Sequence, residues 1–325
     1  MINKKMITLK TVMLFLLVSG LGCGPSAFLI QAVPGGRKLK ETMIEKDKGF
    51  FVTNKIAVID VDGIMINSRG GLFQSKDNQV SLFVEKLDKA RKDSAVKAVV
   101  LRLNSPGGTV GASDTMYHQL KLFKQKCKKP VVVCMLDVTA SGAYYLACGS
   151  DGIMAQPTTI TGSIGTIVQT FNISGTMRFL GIRTEAIKSG KLKDIGSPYR
   201  EMTDEERKLI AGLINEFYEQ FLNVVDQGRA SLTLDQVRKL ADGRVFAAKE
   251  ALANGLIDRI GYPSQAVEWA KELASIKKAH VIMYHRPAGY KPNIYSSATY
   301  DSPGTGALVN LDLPDWLNSN GTHFL

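Results

Sequence analysis

P-V-V-V-C-M-L-D-V-T-A-S-G-A-Y-Y-L-A-C, Pro130 to Cys148, is the stretch whose reading decides the fold. Its first half, Pro130 to Leu136, is a continuous β-branched and apolar run, as in strands buried on both faces of a sheet. Its second half, Ala143 to Cys148, reads as an apolar helix. The turn between them carries Ser141, beside N–H groups of the first helical turn that lack an intrahelical partner and favour developing negative charge. That setting suits acyl transfer with Ser141 as nucleophile. A serine there also serves as a plain helix N-cap, so the nucleophile reading needs a base and an oxyanion site besides.

The alternation continues on both sides. Lys55 to Val61 reads as a strand, Asp77 to Lys92 as an amphipathic helix, Val96 to Leu103 as a second buried strand, and Gly111 to Lys126 as a helix. Beyond the serine, strands are expected at Gly152 to Ala155, Ser163 to Val168 and Arg183 to Ile187. A long helix follows from Thr203 to about Arg229, with Thr203 and Glu206 as a capping box. Gly243 to Phe246, a helix from Ala247 to Asn254, Gly255 to Asp258 and a helix near Ser264 to Ala274 close the domain. Repeated strand-helix units with near-continuous apolar strands predict a largely parallel α/β fold.

The 325 residues are 45% apolar and 22% charged, which excludes a disordered chain and leaves ample length for a core. The net charge of +11 comes from lysines scattered among acids, with no basic stripe interleaved with aromatics; nucleic acid is not an expected partner, although a basic surface suits anionic lipid. Cys23, Cys127, Cys134 and Cys148 have neither metal-binding nor disulfide-framework spacing, and no metal or cofactor is expected.

Lys4, Lys5 and Lys10 precede an uncharged stretch, Thr11 to Val33, read as a membrane anchor or secretory signal. Cys23 stands where a lipoprotein cleavage site would fall. Charge counting, with Arg37, Lys38, Lys40, Lys46 and Lys48 on the far side, would keep the domain in the cytoplasm; the export-signal pattern places it outside, and that is the expectation adopted. From Arg286 onward Pro, Gly, Ser, Asn and Tyr replace the periodic pattern, as in a poorly ordered or partner-docked tail.

None of His118, His280, His285 and His323 lies in a glycine-rich turn, and Ser141 is not in a G-x-S-x-G elbow, which disfavours a Ser-His-Asp enzyme. A lysine whose charged form is disfavoured by burial can do the same work. Lys193 is the best placed, with Lys191 and Lys188 almost as good on periodicity alone; the S-x-x-K matches Ser94 to Lys97 and Ser275 to Lys278 lack an apolar, glycine-rich setting. Asn104-Ser-Pro-Gly-Gly108 directly follows a buried strand, and its two glycines let a substrate approach the main chain or simply turn it.

L-R-L-N-S-P-G-G (Leu101 to Gly108), T-A-S-G-A-Y-Y (Thr139 to Tyr145), T-G-S-I-G (Thr161 to Gly165), S-G-K-L-K-D (Ser189 to Asp194) and G-R-V-F…A-L-A-N-G-L-I-D (Gly243 to Asp258) together resemble the signal peptide peptidase A family of serine peptidases. The resemblance covers about residues 55 to 275, in order. It implies that Ser141 attacks the scissile carbonyl, that neutral Lys193 accepts its proton, that Ser163 orients the lysine, and that Gly108 supplies an oxyanion N–H. The strand-to-helix turn makes the Gly142 N–H the second donor. The implied fold is the Clp-protease and crotonase-like α/β spiral. Family members are membrane-anchored homo-oligomeric rings cutting released signal peptides; with one motif set this chain resembles the short form, in which neighbouring subunits complete the ring and lysine and serine can come from different chains.

The expected division is an anchor or signal over 1–33, a linker over 34–54, a peptidase domain over 55–285 and a tail over 286–325. An extended apolar peptide would lie along a strand edge, with Met65, Ile66 and Leu72 either rimming it or belonging to the core. Leu311 to Leu317 in the tail suggests docking on a neighbour or in the groove. Two other readings stand beside the peptidase: a crotonase-like acyl-CoA enzyme, which leaves the serine and lysine motifs unexplained, and a catalytically silent membrane scaffold.

Overall fold

The strands that the sequence fills with Val, Ile and Leu pair into one nine-stranded sheet, in the order β1-β9-β2-β3-β4-β5-β8, with β6 and β7 branching from β4. These are β1 (Lys40–Glu45), β2 (Lys55–Asp62), β3 (Val96–Ser105), β4 (Val131–Ala140), β5 (Gly152–Ala155), β6 (Ile160–Gly162), β7 (Val245–Ala247), β8 (Arg259–Ile260) and β9 (His280–His285). The computed structural model describes residues 38–49, 51–67 and 78–285. The chain divides into Met1–Arg37 and Lys38–Leu325, and every described residue falls in the second unit.

Pairing is parallel throughout except at β1–β9 and β6–β7. The central strands bury both faces, as their near-continuous apolar runs require, and the buried charges among them, Asp60 of β2 and Arg102 of β3, pair with each other at 2.6 Å. On one face Ile56, Val58, Ala98, Val100, Val132 and Cys134 pack with Trp269 of α8 (Pro263–Leu273). On the other, Ile59, Val99, Leu101, Val133 and Met135 meet three helices: α1 (Gln79–Lys92), α2 (Val110–Cys127) and α3 (Gly142–Ala147). The alternation follows from successive side chains pointing to opposite faces. α4 (Ser174–Phe179), α5 (Asp204–Gly228), α6 (Leu234–Leu240) and α7 (Ala248–Ala253) complete the helices of the described residues.

Strand β4 forks. Val132 to Met135 pair with β5, whereas Val138 to Ala140 pair with β6, so the strand leaves one neighbour for another just before Ser141. Two buried threonines fasten the fork: Thr139 Oγ1 donates to the Leu103 carbonyl at 2.8 Å, and Thr161 Oγ1 to the Thr139 carbonyl at 2.6 Å.

Several sequence expectations need correction. The stretch read as a linker contains β1, a short charged edge strand whose Lys-Glu-rich pattern hides its pairing with β9. β9 pairs in parallel with β2, between it and the edge strand β1, and was not anticipated; nor was α6. The strands expected at Ser163 to Val168 and Arg183 to Ile187 are absent. Ile164 alone of these residues reaches the core, whereas Ile167, Val168 and Ile187 are exposed, Ile187 to 99%. Met65 belongs to the core, Ile66 is half-buried, and Leu72 lies outside the described residues. Among the described residues no helix is long and apolar enough to cross a membrane. The expected anchor, Cys23 and the tail with Leu311 to Leu317 lie outside them.

Candidate active site

Ser141 takes φ 53° and ψ −123°, a region that side-chain-bearing residues avoid and that costs about 1–3 kcal/mol. Sheet pairing imposes it: the Ser141 N–H donates to the Gly162 carbonyl at 2.8 Å, while its own carbonyl already accepts the Tyr145 N–H of α3. Its hydroxyl makes no capping bond, so the serine occupies the cap position in its backbone alone. The half-buried Oγ is therefore left for other chemistry.

Gly107 and Gly108 approach the turn from β3. Gly107, at φ 97°, lies so close that a Cβ on it would stand 2.6 Å from the Gly142 nitrogen and 3.0 Å from Ser141 Cβ. A Cβ on Gly108 would stand 1.9 Å from the Met65 carbonyl oxygen. Both positions exclude any other residue, which explains the paired glycines. Ser105 Oγ accepts the Gly107 N–H at 3.1 Å, and the Thr109 N–H donates to the Met65 carbonyl, leaving the intervening Gly108 N–H facing away from that pairing. Neither Gly108 N–H nor Gly142 N–H has an acceptor among the described residues, and the Gly108 nitrogen lies 3.3 Å from where a Gly142 Cβ would be. Two vacant donors beside a strained serine are what a tetrahedral oxyanion requires.

Ala140 and Gly162 are paired in parallel register, which makes Ser141 and Ser163 the next residues on adjacent strands. Ser163 also has positive φ, 49°, and its N–H donates to the Arg244 carbonyl at 2.8 Å. One chain thus gathers Ser141, Ser163, Gly108 and Gly142. Lys193 lies exposed in a turn, and no hydrogen bond, ion pair or sheet pairing among the described residues joins it to either serine. The neighbouring lysines are engaged, Lys188 with Asp194 and Lys191 with Glu205, whereas the Lys193 ammonium forms no ion pair among the described residues. Arg200 bridges Asp194 and Glu206, each at 2.8 Å, and with Lys188 holds the Asp194 carboxyl well below the usual range.

The remaining titratable candidates are occupied elsewhere. His280 Nδ1 accepts the Asp47 N–H at 3.3 Å, His285 Nε2 lies 2.7 Å from Thr42 Oγ1, and His118 is exposed on α2. Burial pushes the Cys134 and Cys148 thiols up to about 12, leaving them inert. The Gly243 to Asp258 motif is structural. Tyr144 of α3 donates to the Leu256 carbonyl at 2.8 Å, and Arg229 clasps Asp258 at 2.6 and 3.0 Å. Gly107 was read from sequence only as one of the two glycines of a permissive turn, and its contact with Gly142 and Ser141 was not foreseen.

A parallel α/β frame presenting a strained serine to two free backbone donors is the architecture of a serine hydrolase of acyl groups, and comparison with known proteins makes it a serine peptidase. Residues 123–277 match Peptidase family S49. The chain is 35% identical over 251 residues to the Enterococcus faecium protein named "Putative signal peptide peptidase SppA", covering 77% of this chain and 72% of that one. It is 33% identical over 248 residues to "Serine protease SPPA, chloroplastic" of Arabidopsis thaliana, and 34% over 224 residues to "Protease 4" of Haemophilus influenzae. Those matches take 75% and 69% of this chain but only 36% and 35% of the longer relatives. The chain belongs to peptidase family S49, the signal peptide peptidase A family.

Proposed function

We propose that the protein cleaves apolar remnants of signal peptides with a Ser141–Lys193 dyad completed between subunits of a membrane-associated ring. The observation that carries the serine half is the uncapped, positive-φ Ser141 beside the vacant Gly108 and Gly142 N–H groups. Ser141 Oγ attacks the scissile carbonyl, its proton passes to neutral Lys193, and the two N–H groups hold the oxyanion until the leaving amine takes that proton. Water then releases the acyl group by the reverse sequence. Ser163 orients the lysine from the adjacent strand.

Lys193 is favoured over Lys188 and Lys191 because those two are already engaged, with Asp194 and Glu205. A neighbouring subunit supports the same reading. The segment that carries Lys193 exposes Ile167, Phe171, Phe179, Leu180 and Ile187, and α5 adds Leu209, Leu213 and Phe217 at four-residue spacing on one face. Apolar surface of that extent marks an interaction site, and a second copy covering it would bury Lys193 and disfavour its charge. The forked β4 is consistent with the Clp-protease and crotonase-like spiral. The uncharged stretch of residues 11–33 would anchor the chain, with the catalytic domain outside the cytoplasm. The names of the relatives supply the signal-peptide substrate class.

Ser141→Ala and Lys193→Ala, each measured on a fluorogenic apolar peptide, should abolish cleavage while circular dichroism stays unchanged. Full activity in Lys193→Ala would end the dyad assignment, and full activity in Ser141→Ala would end the peptidase mechanism as a whole.

A further inference from the structure

Ser113 sits in the first turns of α2, 4% exposed, where the helix that begins just after Gly108 passes α3. Its Oγ donates to the Thr109 carbonyl at 3.1 Å, which also accepts the Ser113 N–H at 3.1 Å. Thr109 is fixed at its other end by its N–H to the Met65 carbonyl. The same Oγ lies against Gly142: a Cβ built there would be 2.1 Å from it. One hydroxyl thus holds the residue after one oxyanion donor and abuts the residue that carries the other.

The next residue closes the arrangement from the far side. Asp114 Oδ1 accepts the Tyr145 hydroxyl at 2.8 Å and Gln220 Nε2 at 2.9 Å. Tyr145 is wedged edge-on between Tyr117 and Phe221, with ring centres 5.2 and 5.1 Å away. The tie pulls α3 toward α2, and Ser113 limits how near it comes.

We infer that Ser113 is a positioning residue that sets the spacing between the Gly108 and Gly142 N–H groups. The inference rests on the reading of those groups as the oxyanion donors. Ser113→Ala removes the spacer while adding no charge and little strain; Ser113→Cys replaces the oxygen with a larger sulfur. Both act on geometry that matters when the carbonyl oxygen becomes an oxyanion, because displacements of the order of 1 Å cost up to about a hundredfold in rate.

The test uses the full-length protein and a peptidyl aldehyde. Ser141 Oγ adds to the aldehyde carbon, the hydroxyl proton passes to the base, and the carbonyl π electrons become the oxyanion between the two N–H groups. Ser113→Ala and Ser113→Cys should each lower kcat about tenfold with KM unchanged, and weaken aldehyde binding by the same factor. Affinity for an uncleaved ground-state peptide should not change. An unchanged kcat in both variants, or a reduced kcat with unaltered aldehyde affinity, would overturn the inference. Retained cleavage in Ser141→Ala would instead overturn the mechanism beneath it, and this inference with it.

Discussion

The serine side and the lysine side of the candidate site are held in opposite ways. Residues 104–163 bring Ser141, Gly108, Gly142 and Ser163 together by sheet register, buried threonine hydroxyls and contacts that tolerate no Cβ. Residues 167–200 carry Lys193 on an exposed segment whose apolar side chains face solvent and whose own fixed point is an ion cluster around Arg200. A strained backbone conformation survives only where its surroundings over-determine it, and the first region supplies that. The second has the character of a surface awaiting a partner. In the proposed mechanism the oxyanion geometry is built within each chain, whereas the base is delivered from outside it.

The largest expected effect comes from breaking the rigid side. Gly108→Ala drives a methyl group into the Met65 carbonyl and displaces one of the two proposed oxyanion donors. We expect kcat to fall by about 10²–10³ or more, and labelling of Ser141 by a fluorophosphonate to slow in proportion. Unchanged kinetics would show that the tight approach of the glycine loop has no part in the reaction.

A smaller effect is expected at the fixed point of the exposed side. Arg200, followed by the Thr203 N–H, holds the Glu206 carboxyl down to about 2. A carboxylate with a lowered folded-state pKa stabilises the fold fully above its unfolded value of about 4.3, and this contribution is lost as pH falls toward about 2. Hydrogen-exchange protection over residues 188–206, relative to the intrinsic rate at each pH, should therefore fall across that window, and Glu206→Gln should show the lower protection already at neutral pH. Protection that stays constant down to pH 2 in the parent chain would contradict the ion cluster as the anchor.

The parallel sheet was legible in the sequence because its central strands are buried on both faces and need near-continuous apolar runs, as in Val131 to Met135 and, with Lys97 and Arg102 interrupting, Val96 to Leu103. The capping box at Thr203 and Glu206 was legible for the same local reason. β1 and β9 were not, since one is a short charged edge and the other borrows its meaning from β2, far away in the chain. The strands read at Ser163 to Val168 and Arg183 to Ile187 show the converse: β-branched and apolar residues without a partner edge do not form a sheet. At the site, Ser141 and Gly142 could be read from their turn, whereas the roles expected of Ser163 and Gly108 came from the resemblance of their motifs to the family. The singular status of Lys193 could not be read, because only three-dimensional pairing separates it from Lys188 and Lys191. Ser113 was silent, and Gly107 legible only as a turn glycine, for a similar reason, as their contacts with Gly142 lie across the fold.

The claim that the two halves meet between chains is tested most directly by mixing inactive subunits. Ser141→Ala and Lys193→Ala chains, each inactive alone, are co-expressed, purified as mixed assemblies and assayed on the fluorogenic peptide. A site shared between neighbours predicts recovered cleavage, since some interfaces then pair an intact Ser141 with an intact Lys193 from the adjacent chain. Mixed assemblies that remain as inactive as either parent would place both residues of the dyad in one chain and contradict the account.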